Sequence, residues 1–254
     1  MRNSEIFYFD VDGTLLNNHD HSISQKTIDA LKKLKEKGYK LALCTGRTLA
    51  GIKEAEVDQL VDWDGFVLAN GSVVLDKDYK TLHNAPFSDA FIKKMLELSK
   101  GPLMLEGDYN FYTDTPHQPI KDALAHFKIS ETYPVMDFTG QAIYNVKCYE
   151  KFDEATIKDL EKDAQVLYDQ MNNYEIIPKS SGKDKGIEVL NQHLKLKRHT
   201  VFGDGDNDVT MIQKADFGVA MGNGTDKVKA YADFVTKSVS EDGIVHALKI
   251  HDVL

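Results

Sequence analysis

Four apolar residues, Ile6-Phe7-Tyr8-Phe9, run directly into Asp10-Val11-Asp12-Gly13-Thr14-Leu15. An unbroken apolar run of this length suits a strand buried on both faces, as in a parallel sheet covered by helices. In extended chain, residues two apart point the same way, so Asp10 and Asp12 can face one site, and Gly13 lets the backbone turn away. Ligands of open α/β sheets gather at the carboxyl ends of the strands. The same arrangement recurs along the chain. Leu41–Cys44 leads into Thr45-Gly46-Arg47, and Thr200-Val201-Phe202 leads into Gly203-Asp204-Gly205-Asp206-Asn207-Asp208. Lys183-Asp184-Lys185-Gly186 stands at a helix start. Polar clusters at equivalent ends of one sheet are expected to converge.

Helical signals separate these strands. Ser24 is a natural N-cap for a helix whose Ile28, Leu31 and Leu34 share a face, and Gly38 can end it. A helix carrying Leu49, Ile52 and Leu60 leads to a third strand, Phe66–Ala69. Ile187, Leu190 and Leu194 mark a later helix face, Val209 and Ile212 another, and Phe217–Ala220 a further strand. This alternation predicts α/β architecture: a doubly wound, parallel-sheet, Rossmann-like core. The middle of the chain reads differently. Ser88 caps a helix presenting Ile92, Met95 and Leu96. Leu103–Leu105 and Phe111–Thr113 form a strand pair around a Gly107–Asn110 turn. Tyr144, Val146 and Cys148 alternate with Asn145 and Lys147 as in a half-exposed strand, and Tyr174–Ile177 follows a helix with Ile157 and Leu160. We expect an α+β domain at 83–180 inserted into a core made of 1–82 and 181–254, with turn-rich crossings at His83–Pro86 and Pro178–Gly182.

Composition narrows the function. The chain has 254 residues and a formal net charge of −9, with 42% hydrophobic residues. That is enough apolar material for a sizeable core. The acidic balance argues against broad nucleic-acid binding, while a local site can still attract a small anion. No stretch approaches the roughly 20 apolar residues that span a bilayer, so no membrane partner is expected. Cys44 and Cys148 make no metal or redox spacing, and a reduced cytoplasmic setting is the simplest reading.

Familiar alternatives for the acidic segments fail on spacing. A calcium-binding hand needs Gly at position 6 and Glu at position 12 of its loop. Counted from Asp10 those places hold Leu15 and His21, and counted from Asp204 they hold Val209 and Ala215. No G-x-G-x-x-G follows an expected strand, and the P-loop pattern is absent.

Taken together, Asp10–Leu15, Thr45-Gly46-Arg47, Lys185-Gly186 and Gly203–Asp208 resemble the four motifs of the haloacid dehalogenase superfamily of phosphohydrolases. Their order, and the long insertion between the second and third, resemble the Cof-like branch with a C2-type (IIB) cap. Asn70-Gly71-Ser72 is similar to the Asn-Gly-Ala segment of that branch. The resemblance implies Mg²⁺-dependent hydrolysis of a small phosphate monoester, a sugar phosphate or similar metabolite, through an aspartyl-phosphate. It implies Asp10 as nucleophile and Asp12 as acid and base. Asp10, the Asp12 carbonyl, Asp204 and Asp208 would surround the metal. Thr45, Gly46, Lys185 and Asn207 would hold the phosphoryl oxygens. The charge balance agrees: four aspartates and a phosphate in one pocket need a hard divalent cation. Neighbouring carboxylates would favour a protonated Asp12. A phosphomutase using the same nucleophile, and a non-catalytic sensor of phosphorylated metabolites, are the alternatives.

Some residues read two ways. Lys183 and Lys185 both fit a lysine near a helix start, and the glycine after Lys185 favours it. Arg47 fits either a substrate contact or a pair with an acidic neighbour. Cys44 reads as a small buried apolar group without a placed base. His19, His21 and His117 read as loop residues, and Tyr109, Phe111 and Tyr112 as packing of the inserted sheet.

Overall fold

The computed structural model describes residues 1–126, 133–168 and 171–254. The chain divides into two compact units, one of residues 1–47, 51–84 and 182–254, the other of 85–181 with 48–50.

In chain order the first unit opens with strands β1 (Ile6–Phe9), β2 (Lys40–Cys44), β3 (Gly65–Leu68), β4 (Val73–Asp76) and β5 (Thr81–Asn84). The second unit contributes β6 (Met104–Gly107), β7 (Asn110–Tyr112), β8 (Ile143–Cys148), β9 (Ala164–Tyr168) and β10 (Tyr174–Pro178). The chain then returns with β11 (His199–Gly203), β12 (Phe217–Ala220) and β13 (Phe234–Val235).

The first sheet has the order β13-β12-β11-β1-β2-β3-β4-β5. It is parallel from β13 to β3, and β4 and β5 then add antiparallel. β1 lies in the middle, and all four of its side chains are fully buried, as its unbroken apolar run requires. Phe9 stacks on Phe202 of β11 with ring centroids 5.1 Å apart. The helix Gln25–Glu36 begins where Ser24 accepts a hydrogen bond from the Thr27 amide, and it buries Ala30, Leu31 and Leu34.

Three details differ from the sequence reading. The helix after β2 spans only Leu49–Glu54, because Glu56 adopts a left-handed conformation (φ 53°) and a 3₁₀ turn, Val57–Gln59, follows. Leu60 therefore lies beyond the helix. The hairpin of β4 and β5 extends the sheet edge; β4 carries the apolar run Val73-Val74-Leu75, while β5 has no such run. β8 is not half-exposed: Asn145 is 1% exposed, so both faces of the strand are covered there.

The second sheet is antiparallel throughout, in the order β7-β6-β8-β10-β9. One face carries Leu105, Phe111, Val146, Cys148 and Ile176, packed with Phe91, Ile92 and Met95 of the helix Asp89–Leu98 and with Leu160 of the helix Glu154–Leu160. The other face is polar. Asn145 donates to Glu106 Oε2 at 2.6 Å, and Lys147 Nζ lies 3.3 Å from Glu106 Oε1 and 3.6 Å from Glu175 Oε1. Strand register sets these groups side by side, with Glu106 opposite Asn145 and Lys147 opposite Glu175.

Candidate active site

The loops after β1, β2, β3 and β11 and the helix Lys183–Leu194 bring the charged residues of the first unit together. The chain leaves β1 through a tight turn in which the amides of Thr14, Leu15 and Leu16 all donate to the Val11 carbonyl. Gly13 sits at φ +79°, and a Cβ there would lie 2.1 Å from Asp204 Oδ2. Only glycine lets this turn approach the β11 loop so closely. Asn223 clamps the contact, its Nδ2 donating to the Gly13 carbonyl at 2.8 Å and to Asp204 Oδ2 at 3.3 Å.

Asp10, Asp204 and Asp208 are buried, and their nearest carboxylate oxygens lie within 4.8 Å of one another. Asp208 is held from both sides. Its Oδ2 accepts the amides of Asp204 and Gly205, each at 2.9 Å, and its Oδ1 lies 2.5 Å from Lys183 Nζ. Lys183 Nζ also donates to Asp10 Oδ1 at 2.7 Å, and the lysine side chain is fully buried. Two of the three carboxylates share one ammonium, so the cluster carries two uncompensated negative charges when all are ionised. Burial pushes the Asp10 carboxyl up to about 7, with Lys183 opposing and Asp208 and Asp12 adding to the rise. Burial pushes Asp204 up to about 9, reinforced by Asp10 and Asp208. Lys183 stays firmly charged: burial opposes the ammonium, but Asp10 and Asp208 outweigh it. Hard oxygen donors with an excess of two negative charges fit a divalent cation such as Mg²⁺.

The structure places the lysine differently from the expectation of Lys185. Lys183 is the first residue of its helix, and Lys185 is exposed. Gly186, the glycine that favoured Lys185, packs against the sheet, where a Cβ would lie 2.4 Å from Val67 Cγ1. Positions three apart share a helix face, so it is Lys183 that sits on the buried side with Gly186, while Lys185 projects away.

Asp12 also differs from expectation. Arg47 grips its carboxylate with two hydrogen bonds, Nε to Oδ2 at 2.8 Å and Nη2 to Oδ1 at 2.7 Å. This fork matches the ionised carboxylate and not the protonated acid. Burial works against the Arg47 charge, and Asp12 more than offsets it. Between the two readings of Arg47, the structure shows the acidic pair.

Thr45 is buried at the end of β2, and its hydroxyl accepts the Arg47 amide at 3.1 Å. Gly46 follows it and lies beside the Asn70 side chain. Asn207 donates from Nδ2 to Asn70 Oδ1 at 3.1 Å. Cys44 lies beneath this group, and burial pushes its thiol up, as a packing role requires. Sequence reasoning missed Asn223 and the place of Asn70 in this network. Asn223 follows β12 in a Gly222-Asn223-Gly224 turn, a pattern that signals only a turn.

Residues 7–248 match the haloacid dehalogenase-like hydrolase family. A Bacillus subtilis (strain 168) relative named 5-amino-6-(5-phospho-D-ribitylamino)uracil phosphatase YcsE is 25% identical over 250 residues, covering 96% of this chain and 94% of that one. A solved phosphatase of the same superfamily, BT1666 from Bacteroides thetaiotaomicron, superposes with a TM-score of 0.86 at 27% identity, covering 99% of this chain and 96% of its own. A solved subclass IIB sugar phosphatase, BT4131, superposes with a TM-score of 0.85 at 26% identity, covering 99% of this chain and all (100%) of its own. No helix among the described residues is long and apolar enough to cross a membrane.

Proposed function

The chain belongs to the haloacid dehalogenase-like hydrolase family and is a phosphatase of its Cof-like, subclass IIB branch; from that premise we propose that it hydrolyses a small phosphate monoester through an aspartyl-phosphate on Asp10, with Mg²⁺ as cofactor. The observation that carries this reading is the buried cluster of Asp10, Asp204 and Asp208 at the strand ends of the first sheet, with Lys183 paired to Asp10 and Asp208. Asp10, Asp204 and Asp208, with the Asp12 carbonyl, are the residues that would hold the metal. When bound, Mg²⁺ supplies positive charge against the phosphoryl oxygens and the nucleophile.

The protein's own groups then divide the work. Asp10 attacks phosphorus, the ester oxygen leaves, and water later attacks the aspartyl-phosphate to release inorganic phosphate. Lys183 favours the ionised form of Asp10 against burial and fixes its rotamer through Oδ1, leaving Oδ2 for attack. Asp12 gives the leaving oxygen its proton and takes one from the incoming water. The Arg47 fork must loosen for that proton to be carried, and an arriving phosphate dianion competes for the guanidinium. Thr45, the Gly46 amide and Asn207 hold the phosphoryl oxygens, with Lys183 in the place expected for Lys185. Positioning and charge stabilisation dominate such a reaction, because the transition state is loose.

The substrate class is a small phosphorylated metabolite, with sugar phosphates first, supported by the likeness to a sugar phosphatase. Residues 83–180 act as the cap that sets substrate choice. The two buried, unpaired cysteines suit a cytoplasmic setting. The test is phosphate release across a panel of phosphorylated metabolites, with Mg²⁺ and with chelator. Metal-dependent release from a few related esters supports the reading, and no release from a folded protein overturns it.

A further inference from the structure

The turn after β3 is built against ordinary preference. Ala69, Asn70 and Gly71 adopt left-handed conformations in succession, at φ 48°, 52° and 87°. Only the glycine is at ease there, and Asn tolerates the region better than most residues. The surroundings force the turn. The Asn70 amide donates to the Thr45 carbonyl at 3.0 Å, and the Ala69 amide donates to the Arg47 carbonyl at 2.9 Å. Gly71 lies so close to the helix start that a Cβ on it would meet the Gly182 carbonyl oxygen at 2.1 Å. Strain held in place by several contacts is a mark of a functional position.

The turn delivers one group, the Asn70 carboxamide. The residue is 2% exposed. Its Oδ1 accepts from Asn207, which fixes Nδ2 on the other side of the amide, and Nδ2 has no hydrogen-bond partner. Buried amide donors are nearly always satisfied, so an orphan in a strained turn calls for a missing acceptor. The carboxamide lies against Gly46: a Cβ built there would lie 3.2 Å from Nδ2 and 3.3 Å from Oδ1. The amide therefore borders the Thr45-Gly46 segment, and its Oδ1 faces Asn207.

We infer that Asn70 is a phosphate-positioning residue, donating through Nδ2 to a phosphoryl oxygen of the substrate while its Oδ1 orients Asn207 toward the same group. This rests on the phosphate-ester reading above. A neutral amide suits the place: it adds a donor without drawing charge from the neighbouring carboxylates. It also links the loops after β2, β3 and β11 into one oxygen-binding wall.

The test uses Asn70→Gly, which keeps the left-handed turn and deletes the amide, and Asn70→Asp, which keeps the shape and replaces the donor by an anion. The readouts are kcat/KM on the best ester of the panel and competitive inhibition by orthovanadate with Mg²⁺. Asn70→Gly is expected to lose about 10²-fold in kcat/KM, the loss typical of one removed donor, and to weaken vanadate inhibition in parallel. Asn70→Asp is expected to lose more. Unchanged vanadate inhibition in a folded Asn70→Gly protein overturns the assignment. If that variant does not fold, the wild-type Asn70 side-chain amide resonances are followed by NMR during vanadate addition. A shift supports the donor role, and an unmoved signal with vanadate bound overturns it. A wild-type chain that neither releases phosphate nor binds vanadate overturns the phosphate-ester reading and the Asn70 role with it, whereas normal wild-type binding with unmoved variants overturns only the latter.

Discussion

The two sheets carry their charge in different places. In the first, charged side chains stand at the strand ends, paired with one another and anchored to backbone where two amides fix Asp208 Oδ2. In the second they lie across the strands and are tied to one another, as Lys147 is to Glu106 and Glu175, with the neutral Asn145 also donating to Glu106. Charge fixed by the backbone belongs to the loop motif and travels with it. Charge fixed across strands depends on register, and a single substitution reshapes it. The first arrangement suits the chemistry proposed for Asp10, and the second suits the substrate choice proposed for residues 83–180.

The sharpest way to break this contrast is at the nucleophile. Asp10→Asn is expected to lower kcat by about 10³-fold or more while the protein stays folded, read from single-turnover kinetics and circular dichroism. Substantial residual turnover would remove Asp10 from the chemistry. Next come the two lysines. Lys183→Ala strands two buried carboxylates and is expected to cost about 3–5 kcal/mol in denaturant unfolding, with loss of activity. Lys185→Ala is expected to stay within about 0.5 kcal/mol. Equal effects would contradict the placement of Lys183.

The pH dependence of the first unit follows from its raised carboxyls. Asp10 and Asp204 rise from 3.8 to about 7 and about 9, so the folded apo-protein binds their protons more tightly than the unfolded chain does. The stability they contribute is complete below about pH 4 and is lost as pH rises through those values. With chelator, the melting temperature should fall between pH 5 and pH 9, and Mg²⁺ should restore more at pH 8.5 than at pH 6. A melting temperature that rises over this range would show that the cluster is not strained by its own charge.

In the second sheet, Glu106→Gln leaves Lys147 with a weakened partner and is expected to cost about 1–3 kcal/mol. Turnover of a small aryl phosphate should hold within about threefold, while the ranking of metabolite esters changes. An unchanged ranking would remove selectivity from that face. The smallest effect is at a helix cap of the second unit. Ser88 accepts the Phe91 amide at 3.3 Å, and Ser88→Ala is expected to cost about 1 kcal/mol without altering kinetics.

The central strands of the first sheet were readable because burial on both faces leaves an unbroken apolar signature, as in Ile6–Phe9 and Phe217–Ala220. The polar residues after them were readable because strand ends collect ligands. Other features were less so. Lys183 and Lys185 differ in helix phase, and phase depends on where the first turn begins. The Arg47 fork on Asp12 joins loops from two strands, and spacing along the chain does not encode it. β8 read as half-exposed because Asn145 and Lys147 are polar, yet both find partners on neighbouring strands. The orphan amide of Asn70 follows from a left-handed turn that Ala69 gives no reason to expect.

The position of β1 has a consequence for how the protein is made. Its two partners are β2, soon after it, and β11, which follows the entire second unit. At synthesis rates of ~5–20 residues per second, about 10–40 s separate the emergence of β1 from that of β11. Throughout that interval one edge of a fully buried strand has no native partner, and such edges invite pairing with other chains. Lys183, Asp204 and Asp208 also arrive only at the end of this interval, so Asp10 waits without its counter-charge. A chain stopped short of residue 208 is therefore a sticky fragment with no site, and chaperone dependence should concentrate in this window of translation.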